Sequence, residues 1–271
     1  MKKITDNVFV ETGFRGCNVG FVATTQGVVM IDTPQLPREA VKWRDEVAKY
    51  GRVRYIINTE PHGDHYTGNY FFDGTVVAHE GTREIIKNSS LAQLRDFLKQ
   101  DDPQSLALID GFKYRPPDIT LSERLTIYCG GHTFRLINMP GHTAYQLAVF
   151  IPEERVIFTS DNVVGRVQAW LHQALPDQWL ESLKRLQELD ADTLVPGHGS
   201  VVGPDYLPEM ADFIRAWVAA VQAAVDQGMS LEEAQEKVSL LDRYPVGGAY
   251  EAMGKMIQRM NVARLYELLK K

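Results

Sequence analysis

Short apolar runs arranged in pairs dominate the hydrophobic pattern of the first part of the chain. In the first pair, residues 20–24 and 28–32 are separated by a turn that contains a glycine. In the second pair, residues 146–151 and 155–159 are separated by Pro-Glu-Glu, which is a further turn signal. The pattern predicts two β-hairpins, which end at Asp32 and at Asp161.

Each predicted hairpin is followed by the same succession of elements. Residues 37–49 form an amphipathic helix candidate before an apolar strand at residues 53–59. Residues 176–189 form a second helix candidate before a short strand at residues 193–195. Two such halves, packed sheet against sheet with the helices outside, predict an α/β fold of the four-layer αββα sandwich type.

The sequence between and after the two halves predicts further elements. An amphipathic helix is predicted over residues 82–99, a shorter helix over 103–109, and strands over 125–128 and 133–138.

From Pro204 onward the pattern is helical, with a capping box at Ser230–Glu233 and a last helix over residues 250–269. We therefore predict a sandwich domain at residues 1–203 and a helical extension at 204–271. The extension is interpreted as a lid, as a surface for homodimer formation, or as packing.

Composition excludes several classes of protein. The chain has 271 residues and a net charge of −6, which argues against a nucleic-acid partner. None of its apolar stretches is long enough to span a membrane, and no signal peptide is evident at the amino terminus. Two cysteines fit a reducing compartment, so we predict a cytoplasmic protein without a disulfide.

Potential metal ligands are concentrated in loops that follow predicted strands. The run Glu60-Pro61-His62-Gly63-Asp64-His65 follows the strand at residues 53–59, and the other candidates each follow a strand and lie next to a glycine or a predicted strand end. Because one ion seldom takes more than four protein ligands, the set predicts two ions that share one carboxylate. The candidate ligands are Glu60, His62, Asp64, His65, His142, Asp161 and His198.

These residues lie in five motifs whose order resembles that of the metallo-β-lactamase fold superfamily. The motifs are Ile31-Asp32-Thr33-Pro34, the run from Glu60 to His65, Gly141-His142-Thr143, Ser160-Asp161 and Pro196-Gly197-His198-Gly199. The resemblance covers residues 1 to about 200 and leaves the helical extension outside it.

The resemblance implies a role for each candidate residue. One site takes Glu60, His62 and His142, and a second site takes Asp64, His65 and His198. Asp161 bridges the two ions opposite a hydroxide, Asp64 helps to orient this nucleophile, and Asp32 is a structural hydrogen-bonding residue. The implied cofactor is two divalent metal ions, with zinc expected first.

Glu60 departs from the family pattern, which has His at this position. In the first interpretation Glu60 binds metal and shifts its site toward harder ions such as iron or manganese. In the second, Glu60 turns away and the protein binds one metal ion. In the third, Glu60 is an acid–base or substrate-contacting group. We favour the first, since Pro61 restricts Glu60 to an extended conformation suited to a ligand.

Five other residues are candidates for substrate binding: two lie in the loop between the first two strands, which overhangs the site in relatives, two closely follow a motif, and one lies in the segment after Asp161, which lines the pocket in the family. They are Phe14, Arg15, Tyr66, Tyr145 and His172. Two further histidines have structural interpretations, His79 as a contact of the helix that follows it and His132 as a turn residue.

The resemblance implies a metal-dependent hydrolase that acts on an ester-, lactone-, thioester- or amide-like bond of a small molecule. A phosphodiesterase and a non-haem iron oxidoreductase similar to persulfide dioxygenases are the alternatives on the same scaffold. A binding protein with an inactive site is disfavoured, because the ligand set is nearly complete.

Overall fold

Two β-sheets lie between layers of helices, which confirms the predicted α/β sandwich. The computed structural model describes residues 1–244, 246 and 252–270. The first sheet has the order β1 to β7, with consecutive strands adjacent. Its strands are β1 (Lys2–Lys3), β2 (Val8–Glu11), β3 (Val19–Thr24), β4 (Gly27–Ile31), β5 (Val53–Ile57), β6 (Thr75–His79) and β7 (Ile119–Leu121).

The second sheet has the order β12-β11-β10-β9-β8. Its strand β10 is wholly apolar, and β10 and β11 are buried along their whole length, as expected where a sheet is covered on both faces. Its strands are β8 (Arg124–Cys129), β9 (His132–Asn138), β10 (Leu147–Ile151), β11 (Val156–Gly165) and β12 (Thr193–Gly199).

Helices cover the outer faces of both sheets. In α5, Trp179, Leu183 and Leu186 recur at helical spacing and are all buried, so this face packs on the second sheet. The helices are α1 (Pro37–Val47), α2 (Gly63–Tyr66), α3 (Glu80–Lys87), α4 (Leu91–Asp101), α5 (Pro176–Gln187), α6 (Leu207–Asp226), α7 (Leu231–Lys237) and α8 (Gly254–Leu269).

A dry apolar layer between the sheets joins the two halves of the sandwich. Val29 and Ile57 from the first sheet and Phe134, Val149 and Phe158 from the second belong to one buried cluster. Strand β4 pairs in parallel with β5, and β11 pairs in parallel with β12. The carboxyl ends of these four strands, and the loops that follow them, therefore lie along one edge of the sandwich.

Two predicted elements are wrong in their extent. The helix predicted over residues 82–99 is two helices, α3 and α4. The break is explained by Asn88, which ends α3, and by Ser90, whose hydroxyl caps α4 by accepting a hydrogen bond from the backbone N–H of Gln93. Asp161 does not end its strand, because β11 continues to Gly165 beside β12 after two register shifts.

The helices at the carboxyl end pack on the second sheet and share its core. Trp217 and Val221 of α6 and Leu265 of α8 are fully buried in the same cluster as Leu171 and Trp179. The predicted capping box at Ser230 is confirmed. The beginning of the last predicted helix, residues 250–251, lies outside the described residues, and α8 begins at Gly254. The domain boundary at residues 203 and 204 remains a prediction.

Within the part of the chain that the structure describes, no helix has the length and apolar character needed to cross a membrane. Cys17 and Cys129 are both buried, and both are free thiols.

Candidate metal centre

Two residues separate the end of β5 from the run Glu60 to His65, which ends inside the short helix α2. His62 has extended backbone angles and precedes the first residue of α2, so the chain reverses direction between His62 and His65. The side-chain amide of Asn58 donates a hydrogen bond to the carbonyl of His65, 2.9 Å away, and closes this loop.

Asp32 holds the same loop from the adjacent strand. Its carboxylate accepts hydrogen bonds from the backbone N–H of Thr59 at 2.7 Å and from the Thr59 hydroxyl at 2.6 Å. Nδ1 of His65 lies 2.9 Å from Oδ2 of the same carboxylate. A neutral imidazole that donates from Nδ1 has its lone pair on Nε2, the arrangement found in metal-binding histidines.

Two buried asparagines hold the remaining loops. The backbone N–H of His142 donates to Oδ1 of Asn162 at 3.0 Å, and the amide of Asn162 donates to the carbonyl of Met139. Near the other end of the site, the backbone and side chain of Asn18 donate to the carbonyls of Gly197 and Pro196. Neither asparagine was predicted; Asn162 directly follows Asp161, which was the one signal available for it.

Four side chains form the first ligand group: Glu60, His62, His142 and Asp161 each offer one atom, all within 4.8 Å of one another. Oε1 of Glu60 lies 2.5 Å from Nδ1 of His62, and Oε2 lies 3.9 Å from Nε2 of His142. Nε2 of His142 is 3.6 Å from Oδ2 of Asp161. The carboxylate of Glu60 is fully buried and faces this group rather than turning away from it.

A second ligand group lies next to the first. Asp64, His65 and His198 again offer atoms within 4.8 Å of one another. Nε2 of His198 is 3.3 Å from Oδ2 of Asp64 and 3.3 Å from Oδ2 of Asp161, while Nε2 of His65 is 3.4 Å from Oδ1 of Asp161. Asp161 therefore lies between the two groups, so the structure brings all seven predicted ligands together.

Unpaired polar atoms test whether cations fit these groups. Buried nitrogen and oxygen atoms rarely lack a hydrogen-bond partner, because leaving them unpaired is costly. Here three of the seven side chains have such an atom facing the ligand groups, and a cation that accepts their lone pairs removes the cost, so the donor set fits divalent metal ions. The atoms are Oε2 of Glu60, Nε2 of His65 and Oδ1 of Asp161.

Electrostatics at the site point the same way. Burial disfavours the charged form of Asp161, but His198 and His65 hold the pKa of this carboxyl well below its usual range. For His62, burial alone would lower the pKa, but the neighbouring carboxylate of Glu60 outweighs burial and raises the pKa to about 9. Asp161 thus stays ionised and attracts positive charge into the site.

Of the five candidates for substrate binding, His172 lies against the ligand groups. Its ring centroid is 4.9 Å from that of His62 and 5.8 Å from that of His142. Burial and the neighbouring charges of His62 and His142 lower the pKa of His172 to about 4.

The other four candidates have partners away from the ligands. Arg15 forms an ion pair with Asp101 at 2.6 Å. The remaining three contact rings or a hydroxyl: Phe14 packs on Trp43, Tyr66 lies 2.8 Å from the hydroxyl of Ser89, and Tyr145 stacks on His79. Their part in substrate binding remains a prediction.

The chain matches a known protein family in sequence. The sequence profile of the metallo-beta-lactamase superfamily matches residues 12–198. The chain is 30% identical over 205 residues to 2,4-dinitroanisole O-demethylase subunit alpha of Nocardioides sp. (strain JS1661), which covers 72% of this chain and 54% of that protein. It is 34% identical over 110 residues to hydroxyacylglutathione hydrolase of Ruegeria pomeroyi, 40% of this chain and 42% of that protein.

A third curated relative is an atrochrysone carboxyl ACP thioesterase of Aspergillus aculeatus, 27% identical over 196 residues, which covers 70% of this chain and 53% of that protein. The chain spans about half the length of the curated relatives it matches. Among solved structures, metallo-beta-lactamase family protein TTHA1429 from Thermus thermophilus superposes with a TM-score of 0.71 at 19% identity, over 99% of this chain and 95% of that chain. This likeness shows the fold and extends through the carboxyl-terminal helices.

Proposed function

Because the chain belongs to the metallo-beta-lactamase superfamily, we propose that it is a metal-dependent hydrolase of an ester-, lactone-, thioester- or amide-like bond. The observation that carries the proposal is the pair of ligand groups that share the carboxylate of Asp161. We propose that Glu60, His62 and His142 hold one divalent ion, that Asp64, His65 and His198 hold another, and that Asp161 contacts both.

Divalent ions in such a site lower the pKa of bound water toward neutrality and polarise the carbonyl oxygen of a substrate. The protein residues supply orientation. Oδ2 of Asp64 lies 3.3 Å from Nε2 of His198 and the side chain is 19% exposed, so we propose that Asp64 orients the attacking water. Asp32 fixes the imidazole of His65 through its Nδ1 and keeps Nε2 directed at the centre.

We further propose that His172 contacts the substrate. Its ring packs against His62 and His142, and Nδ1 has no hydrogen-bond partner among the described residues. With a pKa of about 4, the imidazole is neutral at physiological pH and can either donate or accept a hydrogen bond.

Thioesters are the first substrates to assay. Two of the relatives, hydroxyacylglutathione hydrolase and the acyl carrier protein thioesterase, are named for that class of bond. We therefore propose that the partner is a small molecule or the acyl arm of a carrier. We also propose that the protein is cytoplasmic and has no nucleic-acid partner.

A second candidate function, a non-haem iron oxidoreductase, is favoured by Glu60. A carboxylate beside two imidazoles is a ligand set that suits iron and manganese as well as zinc. This candidate predicts iron in the protein and consumption of oxygen.

Metal analysis and two assays separate the candidates. The protein is purified without added metal, its zinc, iron and manganese are counted by mass spectrometry, and it is tested with thioesters, lactones, p-nitrophenyl esters and nitrocefin. Hydrolysis of one of these without oxygen uptake supports the hydrolase. Oxygen uptake by an iron-loaded protein that hydrolyses none of them contradicts it.

Glu60 is tested by the same count. Two ions per chain at full activity support its assignment as a ligand, and one ion per chain at full activity contradicts that assignment.

A further inference from the structure

The helix at the carboxyl end reaches the segment that carries His172. Residues 166–175, between β11 and α5, contain no helix or strand. Asn261 of α8 is fully buried and makes two hydrogen bonds to this segment. Its Oδ1 accepts from the backbone N–H of Leu171 at 2.6 Å, and its amide donates to the carbonyl of Ala169 at 3.1 Å. These two bonds fix the backbone on the amino-terminal side of His172.

Two other residues of α8 hold the ends of the same segment. The amide of Gln258 donates to Oε1 of Gln168 at 2.6 Å, within the protein interior. Nε of Arg264 donates to the carbonyl of Ala174 at 3.1 Å. A loop without regular structure is thus attached to one helix at three levels, with His172 between the second and the third.

The segment is also linked directly to the ligand groups. The backbone N–H of Leu175 donates to the carbonyl of Gly141, 2.8 Å away, next to His142. The His172 ring lies against His62 and His142 at the distances given above. Asn261 is therefore separated from the first ligand group by one stretch of main chain and one imidazole.

The chemistry of residue 261 argues for positioning rather than packing. Its helix neighbours Ile257, Val262 and Leu265 are buried apolar side chains, and a leucine at position 261 would suit that environment. A side-chain amide offers both an acceptor and a donor, and here each is used by a different backbone group of the loop. Burying the amide costs free energy unless both hydrogen bonds form, so its burial favours the loop geometry in which both are made.

We propose that Asn261 is a positioning residue, which fixes His172 beside His62 and His142 and so makes the carboxyl-terminal helix part of the substrate-binding wall. This inference rests on the proposed function, because it assigns His172 to the substrate. Asn261 itself touches neither substrate nor metal, and its effect passes through His172.

A double-mutant cycle tests the proposal. The variants are Asn261→Leu, His172→Ala and their combination, with Tyr266→Phe as the matched control. Tyr266 is on the same helix, and its hydroxyl donates to the carbonyl of Met229 at 2.8 Å and accepts from Nζ of Lys270 at 3.0 Å, so the control, like Asn261→Leu, removes two hydrogen bonds of α8, but elsewhere. Steady-state kinetics, metal content and hydrogen exchange of the peptide spanning residues 166–175 are measured for each.

We expect Asn261→Leu to raise KM or lower kcat by about tenfold, the scale known for supporting residues, with full metal content retained. In the His172→Ala background the same substitution should change the kinetics by less than about twofold, because coupled residues lose additivity. Exchange in residues 166–175 should rise in Asn261→Leu, with or without metal, and stay unchanged in Tyr266→Phe.

Equal losses from Asn261→Leu with and without His172 would overturn the proposal, since Asn261 would then act only on stability. A loss of the same size in Tyr266→Phe would also overturn it. If Asn261→Leu does not fold, Asn261→Asp replaces it: the carboxylate keeps the acceptor for Leu171 and loses the donor to Ala169. If the parent protein hydrolyses no substrate, the proposed function fails on its own, while hydrogen exchange still decides whether Asn261 fixes the loop.

Discussion

The two ligand groups have the same types of ligand but differ in depth. In the first group the side chain of Glu60 is fully buried, that of His142 is 4% exposed and that of His62 is 23% exposed, with His172 packed beside them. In the second group Asp64 and His198 are 19% and 22% exposed, and His65 alone is fully buried. The group with the unexpected carboxylate is therefore the deeper one, where the effective dielectric is lower and each charge has a larger effect.

The ligand types bear on the metal, and the exposures bear on where solvent reaches the site. Three carboxylates, those of Glu60, Asp64 and Asp161, face two proposed divalent cations and leave one positive charge uncompensated. Because each group has one carboxylate of its own, two imidazoles and the shared Asp161, the ligand types favour ions of similar hardness in both. His62, Asp64 and His198 are the partly exposed ligands, so solvent reaches both groups.

The largest expected effect is that of Asp161→Asn, which removes the one charge that both groups share. We expect both ions to be bound more weakly and turnover to fall by more than about 100-fold. This is more than the usual effect of losing a residue that only hydrogen-bonds to a metal ligand. Metal counting and turnover on the same preparation check this. Asp190→Asn, an exposed carboxylate paired with Arg155, is the control and should match the parent protein. Full activity in Asp161→Asn would contradict a shared ligand.

Two glycine substitutions should disturb the groups one at a time. A Cβ at position 197 would collide with Oδ1 of Asp161, and a Cβ at position 141 would collide with Oδ1 of Asn162, which holds His142. We expect each alanine variant to lose about 1–3 kcal/mol of folding free energy, as overpacked interiors do. Gly141→Ala should lower the metal content of the first group.

Gly197→Ala should act mainly on Asp161 and the neighbouring His198. Thermal unfolding and metal analysis measure both effects. Gly131→Ala, whose Cβ meets no atom within 4 Å, is the control for metal content, and its φ of +87° adds a backbone strain that positions 141 and 197 lack. Equal metal contents in all three variants would show that the close approaches do not matter for the site.

Glu60→His should make the two groups differ in ligand type, with three imidazoles in the first group and two in the second. The substitution replaces a buried carboxylate by an imidazole, so we expect the preference for zinc over manganese in the first group to rise about tenfold, or ~1.4 kcal/mol. Competition between the two ions, followed by calorimetry, measures the ratio. Glu60→Gln keeps the size of the side chain and removes the charge, and should lose affinity for both ions. An unchanged ratio in Glu60→His would mean that Glu60 is not a ligand.

The smallest expected effect concerns a carboxylate–imidazole pair outside the centre. Oε1 of Glu154 lies 2.7 Å from Nε2 of His132, and Glu154 also accepts hydrogen bonds from Thr5 and Asn7. Burial raises the pKa of Glu154, but these hydrogen bonds outweigh it and lower the pKa. Its folded pKa is below the unfolded one, so its contribution to stability is present above the unfolded pKa and is lost as pH falls through the folded pKa.

Glu154→Gln should therefore cost about 1 kcal/mol at neutral pH, and the difference should vanish at acidic pH. Chemical denaturation at neutral pH and at a pH below the folded pKa of Glu154 measures it. The loss at neutral pH should be the same with and without a chelator. Dependence on the chelator would tie this pair to the metal centre, contrary to the account.

The sequence predicted features that depend on interactions between neighbouring residues and missed features that depend on residues far apart in the chain. Hairpins, helices and the ligand loops were predicted because each has a local signal, such as the period of α5 or the glycines beside His142 and His198. Strands β6 and β7, the last two of the first sheet, were missed, since they are short and their partners are distant. His132, predicted in a turn, instead begins β9, whereas the predicted contact of His79 with the next helix is confirmed by its hydrogen bond from the N–H of Gly81.

Within the site, all seven ligand candidates were predicted to converge, and the structure brings them together. What was missed are residues whose partners are far away in sequence. Asn18 bonds to the loop at 196–199, and Asn261 bonds to the loop before His172, 90 residues away. An asparagine in a loop or on a helix has no periodic signal, so only the folded structure shows what it holds.

The most direct test of the two-ion account is anomalous X-ray diffraction at the zinc, iron and manganese edges from crystals of the metal-loaded protein. The account predicts two peaks, one among Glu60, His62, His142 and Asp161, with the Glu60 carboxylate bound to it, and one among Asp64, His65, His198 and Asp161. A single peak, or a Glu60 carboxylate that does not touch either ion, would contradict it.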